Sequence, residues 1–454
     1  MATPSRVAVA RTLHLVFGEG ARVPDAWDAG LAAGDAGLAN ALLGQCLRRW
    51  GTLQAAIRPQ LKDPGRGLPL GTQVALAIGL AQLAWLPGVS DHAAVNEAVD
   101  LATSREVGFP PHKGLVNAIL RHAARDRAAL AAGLDRSDPA LDRTPFTDRV
   151  LRAALAPRAG GSPDALWRRL QAPPRPHFRM LRDEPLPQGL EPVGAVAGAL
   201  ALAPDAPFPV DWLARGAGMV QDLSSQALLA FAWERPVTRI LDACSAPGGK
   251  ATVLARRYPE ARLVAVERNA ARARRLQENL DLRGVPAEIV VADACPWLLR
   301  DGPSFDLVML DAPCSGSGTL QKHPELNWLG DALDLGRLAQ AQRALLEAAL
   351  PRLAPGGLII YAVCSWLPEE GLAHREHLLA THPGFRPAAL WPASMGTGEN
   401  PATLFRPDPM AWPGEGFQAF AFTTDWDRPC PGFSSGSFLW VASRPHGTGK
   451  NTRR

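Results

Sequence analysis

With 454 residues the chain is too long for one ordinary core, so two or three domains are expected. Hydrophobic residues make up 47% and charged residues 20%, a balance that excludes a disordered chain. A net charge of +4 and a pI near 8.9 permit a polyanionic partner without identifying one.

Residues 1–130 read as all-helical. Apolar residues recur at helical spacing in Val7-Ala8-Arg11-Thr12-Leu13-Val16 and in Ala39-Leu42-Leu43-Cys46-Leu47-Trp50. The longest apolar run, Leu70 to Gly88, contains Gln73 and Gln82 and stops at Pro87-Gly88, so it reads as a buried helix rather than a membrane span. His92 to Ala102 and Lys113 to Ala124 are further helices, divided by a break at Pro110-Pro111. No signal-peptide core opens the chain, and a cytoplasmic, reducing setting with free thiols and no membrane contact is expected. Residues 131–235 read as a linker with one short helix, rich in Asp, Arg, Pro and Gly, followed by a small mixed region with a helix at Asp222 to Trp233.

From Val237 strand and helix alternate, the pattern of a doubly wound parallel sheet. Strands are expected at Thr238–Asp242, Arg262–Val266, Ala287–Ala292, Phe305–Leu310 and Gly357–Val363, with helices at Gly249–Arg257, Ala270–Arg283 and Leu335–Leu353. The apolar run Ser437-Phe438-Leu439-Trp440-Val441-Ala442 would add an antiparallel edge strand. This α/β domain spans 236–445, and 446–454 reads as a disordered basic tail.

Ligands of such sheets bind outside the carboxyl ends of the strands. There, Asp242-Ala243-Cys244-Ser245-Ala246-Pro247-Gly248-Gly249-Lys250 runs from strand through a small-residue loop into a helix. It matches neither the Gly-x-Gly-x-x-Gly fingerprint nor the phosphate loop, which disfavours a dinucleotide or triphosphate. Glu267 ends the next strand, 25 residues on, and can accept from both ribose hydroxyls of a nucleoside. Asp293 ends the third and Asp311 the fourth; Asp293 can receive an adenine amino group. Four acids at strand ends suit a nucleoside with a cationic centre, and S-adenosylmethionine is such a ligand. The blander reading has these acids capping helices or pairing with Arg268 and Arg272.

Six cysteines stand singly with no Cys-x-x-Cys pair, so no metal is expected. Cys46, Cys295 and Cys430 read as small buried hydrophobes, while Cys244 lies in the cofactor loop. Cys314 and Cys364 differ: each ends a strand and each is followed by serine, which suggests covalent catalysis with a partner thiol.

These motifs resemble those of the RNA (cytosine-5)-methyltransferases, and within them the bacterial 16S ribosomal RNA enzymes that carry a NusB-like domain. The resemblance rests on Asp242 to Lys250, on Asp311-Ala-Pro-Cys-Ser-Gly-Ser-Gly318, on Tyr361-Ala-Val-Cys-Ser-Trp-Leu-Pro-Glu-Glu370 and on Val220-Gln-Asp-Leu-Ser-Ser-Gln226. Its helical half rests on Ala93 to Val99 and Lys113 to Arg121. The chain departs from the family in Val363, where threonine is usual, in Glu267, where aspartate is usual, and in a shorter stretch between Arg182 and Gln221. The fold implied is a Rossmann-like S-adenosylmethionine-dependent methyltransferase domain preceded by an all-α NusB-like domain.

The resemblance assigns the attacking thiol to Cys364, removal of the carbon 5 proton to Cys314, the base's N3 and amine to Asp311, and a supporting charge to Lys250. Residues Cys244 to Lys250, with Glu267, Asp293 and Asp311, would hold S-adenosylmethionine. The target base must leave its stack, so a single-stranded, looped or flipped site is implied. Trp328 and Trp366 are candidates to stack on it or to pack the core, and His323 and Arg337 are candidate phosphate contacts. The partner implied is 16S ribosomal RNA, acted on by a monomer. A transfer RNA substrate, or a non-catalytic RNA-binding assembly factor, are the alternatives.

Overall fold

The structure, a computed structural model, describes residues 2–24, 27, 31–65, 67–104, 112–156, 161–396 and 401–424. Among the described residues the amino-terminal unit is built from the α-helices α1 (Pro4–Glu19), α2 (Ala33–Arg48), α3 (Trp50–Ile57), α4 (Leu70–Trp85), α5 (Asp91–Leu101), α6 (Lys113–Ala123) and α7 (Arg127–Asp135). Apart from Gln73, the apolar run of α4 is buried from Gly71 to Leu83 because the other helices surround it, which is why its sequence shows no polar face. Its carboxyl end would strand carbonyl groups in this core. The Arg127 guanidinium takes four of that segment's carbonyls, those of Gln82, Leu83, Leu86 and Val89, and its charge suits the negative end of the helix.

The stretch read as a linker holds α8 (Pro145–Leu155) and reaches into α9 (Pro163–Gln171). Thr144 and Ser162 cap them, each with proline at the first helical position. Their apolar faces (Phe146, Val150, Leu151, Leu166, Trp167) pack with Leu320, Leu326, Trp366 and Leu367, so both helices adhere to the catalytic half.

A small antiparallel sheet follows, β1 (His177–Met180), β2 (Leu190–Pro192) and β3 (Ala199–Leu202), then α10 (Val210–Ala214), β4 (Gly218–Val220) and α11 (Leu223–Leu228). Its order is β2-β3-β1-β4, and one face buries Phe178, Leu200 and Trp212. The helix expected at Asp222–Trp233 ends at Leu228.

The remaining elements are β5 (Arg239–Asp242), α12 (Gly249–Arg257), β6 (Arg262–Glu267), α13 (Ala270–Leu282), β7 (Glu288–Val291), α14 (Ala294–Leu298), β8 (Phe305–Asp311), α15 (Glu325–Leu329), α16 (Leu335–Ala349), β9 (Leu353–Val363), α17 (Leu372–Thr381), β10 (Arg386–Pro387), β11 (Leu404–Phe405) and β12 (Gln418–Thr423). The sheet order is β10-β12-β9-β8-β5-β6-β7, with β11 paired to β12. β5 to β9 run parallel and β12 antiparallel, as in a doubly wound sheet closed by a reversed strand. That reversed strand is Gln418–Thr423, lying between β9 and β10; the run 437–442, the tail 446–454, Cys430 and the Pro110-Pro111 break fall outside the described residues. Because both faces of β12 are covered, all six of its residues are buried and the alternation that marks a half-exposed strand is absent.

Among the described residues no helix is long and apolar enough to cross a membrane, and no group of three or more His, Cys, Asp or Glu side chains could hold a metal ion.

Candidate active site

The order of the sheet reverses beside β5: β6 and β7 lie to one side of it, β8 and β9 to the other. The crevice at that switch point is where such sheets bind ligands. The residues singled out from sequence arrive there from the carboxyl ends of β5, β6, β7, β8 and β9.

From β5, Asp242 is buried. Its Oδ2 accepts from Ser245 Oγ at 3.0 Å, while its Oδ1 is buried with no hydrogen-bond partner. Burial, then the charge of Asp311, raises its carboxyl to about 7. The loop turns at Gly248, whose φ of +100° admits glycine most readily, and a Cβ there would stand 2.8 Å from Leu276 Cδ1. Main-chain groups of the loop are tied to β6 and α13: Ser245 N–H donates to Val266 O at 3.0 Å, and Arg272 and Asn279 donate to the carbonyls of Ala246 and Pro247. Cys244 is half-buried in this loop, and burial together with Asp242 pushes its thiol up.

Glu267 is buried at the end of β6, accepting from Asn269 N–H at 2.9 Å with Arg272 3.7 Å away. Asp293 is exposed and caps α14 through Cys295 N–H at 3.1 Å. Capping therefore occupies one oxygen of Asp293 and leaves the other for a ligand. Lys250, on the first turn of α12, reaches across to β8: its Nζ stands 2.6 Å from Asp311 Oδ2 and 5.5 Å from the Phe417 ring centroid. Burial opposes the ammonium, but Asp311 outweighs it and raises the Lys250 pKa.

The two thiols meet. Cys314 Sγ and Cys364 Sγ are 3.3 Å apart although 50 residues separate them, because β8 and β9 are adjacent parallel strands and both loops turn toward each other. The hydrogen bond to Cys314, then burial, raises the Cys364 thiol well above its ordinary range, so it rests protonated.

Other expectations separate from the site. Trp328 is half-buried against the helical unit, where its Nε1–H donates to Leu47 O at 2.7 Å and its ring meets Phe17 edge-on at 5.7 Å. Trp366 is buried among α8 and α9, so both tryptophans pack a core instead of offering a stacking face. His323 lies beside Glu325 and Arg337 is exposed on α16. Cys46 is fully buried as expected, but Cys295 is only half-buried.

Sequence reasoning gave no role to Glu370. It is fully buried and accepts from Ser315 and Ser365, the serines after the two cysteines. The signal was present as a serine following each cysteine. Nor did it single out Asp222, Lys322 and Glu415, a half-buried group in which Lys322 Nζ lies 3.1 Å from Asp222 and 2.9 Å from Glu415.

A parallel sheet with this strand order, a glycine-turn loop after β5 and acids at successive strand ends defines an S-adenosylmethionine-dependent methyltransferase fold, here joined to a helical NusB-like domain. Residues 232–416 match the model of the 16S rRNA methyltransferase RsmB/F family, and residues 4–125 that of the NusB family. The ribosomal RNA small subunit methyltransferase B of Vibrio cholerae is 32% identical over 77% of this chain and 82% of that protein. Those of Sodalis glossinidius and Xylella fastidiosa strain Temecula1 are 33% and 36% identical, each over 83% of this chain and 88% of theirs. The crystal structure of PH0851 shares the fold, with a TM-score of 0.65 at 20% identity over 93% of this chain and 99% of that one. The chain belongs to the RsmB/F family of ribosomal RNA methyltransferases.

Proposed function

We propose that this protein methylates carbon 5 of a cytosine in 16S ribosomal RNA through a covalent adduct between Cys364 and carbon 6. The observation that carries the reading is the pair of thiols 3.3 Å apart at the ends of β8 and β9, beside the Lys250–Asp311 ion pair. Carbon 5 and carbon 6 are adjacent ring atoms, so one thiol can bond carbon 6 while the other serves the proton on carbon 5.

The Cys364 sulfur bonds carbon 6 while its proton passes to N3 of the ring, and the ring becomes a neutral enamine nucleophilic at carbon 5. S-adenosylmethionine supplies an electrophilic methyl group on a sulfonium. After carbon 5 has taken that methyl, Cys314 accepts the carbon 5 proton; the electrons of that bond re-form the ring double bond and expel Cys364. Asp311 accepts from the N3–H formed in that step and from the exocyclic amine, and Lys250 balances its charge where the adduct accumulates electron density.

The residues present fit the cofactor. The buried, unpartnered Asp242 Oδ1 offers an acceptor to a cationic ligand, and Glu267 and Asp293 suit a ribose and an adenine amine. Cys244, Ser245, Ala246, Pro247, Gly249 and Lys250 complete that wall, with Asp311 closing it. The protein acts in this reading as a cytoplasmic monomer whose NusB-like domain engages RNA.

Tritiated S-adenosylmethionine incubated with 16S ribosomal RNA tests the reading. Label is expected in 5-methylcytidine, lost in Cys364→Ala, with a covalent protein–RNA band in Cys314→Ala. Label in transfer RNA alone would overturn the substrate. RNA binding without label on naked RNA or on the small subunit would leave an assembly factor.

A further inference from the structure

We infer that Glu370 is a positioning residue that sets the two thiols against each other, an assignment resting on the two-cysteine reading above. Its carboxylate is fully buried, and among the described residues no cation is paired with it. A buried charge of this kind is costly unless donors saturate it. Four do, which matches the lone-pair capacity of a carboxylate. Oε1 accepts from Ser315 N–H at 2.7 Å and Gln342 Nε2–H at 3.1 Å; Oε2 accepts from Ser315 Oγ–H at 2.5 Å and Ser365 Oγ–H at 2.6 Å.

The donors belong to different strands' loops. Ser315 follows Cys314, Ser365 follows Cys364, and Gln342 on α16 also donates to Pro313 O at 2.8 Å. One carboxylate thus clamps the residues flanking both thiols. The hydroxyls are committed: Ser365 Oγ accepts from Leu367 N–H and faces Ser317 Oγ at 2.8 Å, and Ser315 Oγ accepts from Ser317 N–H. Glu370 is itself held by Tyr361, whose hydroxyl donates to its carbonyl at 2.8 Å.

The two loops depend on this clamp unequally. Cys364 directly follows β9, which is paired on both sides, by β8 and β12. Cys314 lies in an irregular loop three residues beyond β8, with Gln342 and Glu370 holding its flanking residues. Loosening the clamp therefore displaces Cys314 more than Cys364, so attack on carbon 6 should survive while removal of the carbon 5 proton fails.

The test uses the full-length enzyme with 16S ribosomal RNA and S-adenosylmethionine in single turnover, following the covalent protein–RNA band on denaturing gels. Glu370→Ala cuts both ties; Ser315→Ala with Ser365→Ala removes the hydroxyl donors and keeps the buried carboxylate, should Glu370→Ala not fold. Expected are adduct formation within about threefold of wild type, release slowed at least tenfold, and a band accumulating although both cysteines are intact. Glu370→Gln, which keeps the shape and lets the hydroxyls turn about, should recover part of the release rate. Folded variants that release at the wild-type rate, or that slow attack and release equally, would overturn the assignment. A wild type forming no Cys364-dependent adduct would overturn the two-cysteine reading instead.

Discussion

Lys250 Nζ stands 2.6 Å from Asp311 Oδ2, an ion pair that joins the start of α12 to the end of β8 beside both thiols. Burial opposes the Lys250 ammonium, while Asp311 and then Asp242 raise its pKa, so the cation answers to both carboxylates. Lys250→Met removes the cation and leaves Asp311 unbalanced. By analogy with deletion of one preorganised electrostatic donor, kcat should fall about 100- to 1,000-fold, while the KM for RNA changes by less than about threefold. Lys250→Arg should recover part of the rate. Steady-state kinetics decides; a Lys250→Met enzyme within fivefold of wild-type kcat would show that the pair only supports the fold.

Asp242 yields a pH prediction. Its carboxyl is raised to about 7 by burial and by Asp311, and a bound sulfonium would favour the ionised form. Binding then releases a proton below pH 7, so affinity for S-adenosylmethionine should increase from pH 6 to pH 8 and level off above. Without ligand the sign reverses. The stability this group contributes below pH 3.8 is lost as pH rises through about 7, because the folded state keeps a proton the unfolded chain gives up. Asp242→Asn should flatten both dependences. Titration calorimetry in buffers of differing ionisation enthalpy reads the proton; equal heats in both would refute it.

His374 behaves oppositely. Buried on α17, it lies 3.1 Å from Gln342 Oε1, the glutamine that also serves Glu370 and Pro313. The Gln342 amide hydrogens go to those acceptors, so its oxygen accepts and His374 Nε2 carries the proton. Burial, then Arg343 and His377, presses its pKa down to about 4. Stability from the neutral ring is complete above the unfolded value near 6.5 and is lost as pH falls through about 4. Urea midpoints measured from pH 7 to pH 4 should decline in the wild type and less in His374→Asn. Parallel declines would mean that other groups govern the acid limb.

Much of the catalytic half was legible because buried parallel strands and Gly/Pro punctuation are strong signals. Arg262–Glu267, Phe305–Asp311 and Gly249–Arg257 fall within a residue of their expected ranges. Leu353–Val363 begins four residues early, since Pro355-Gly356-Gly357 reads as a turn but lies in an irregularity between Leu353 and Leu358, both of which pair with β8. The small sheet before it was missed: its strands are three or four residues long and bounded by prolines, too short for alternation to register. The meeting of Cys314 with Cys364 rests on adjacency of β8 and β9, which alternating elements imply. The serine after each cysteine was the visible sign of the Glu370 clamp, but its link to Glu370 was not, because the partners lie 55, 28 and 5 residues away.

The helical domain presses on the segment that follows Cys314. Phe17 stacks on Trp50 at 4.0 Å and meets Trp328 on α15, while Arg48 Nη2 donates to Gln321 O at 3.0 Å and Arg22 Nη2 to Ser315 O at 3.2 Å. Trp328→Ala removes the aromatic plug and its bond to Leu47. Full burial of a tryptophan is worth about 3–5 kcal/mol on truncation, so a half-buried one should cost about 2–3 kcal/mol. Because the lost contacts brace residues 315–329, kcat should fall along with stability even though no atom of Trp328 reaches the thiols. Trp328→Phe keeps the ring packing and loses only the hydrogen bond, so it should stay within about 1 kcal/mol of wild type. Thermal unfolding and turnover measured on the same preparations decide. Unchanged kcat in a destabilised Trp328→Ala protein would make the interface a tether; a joint loss would make the NusB-like domain part of the catalytic framework.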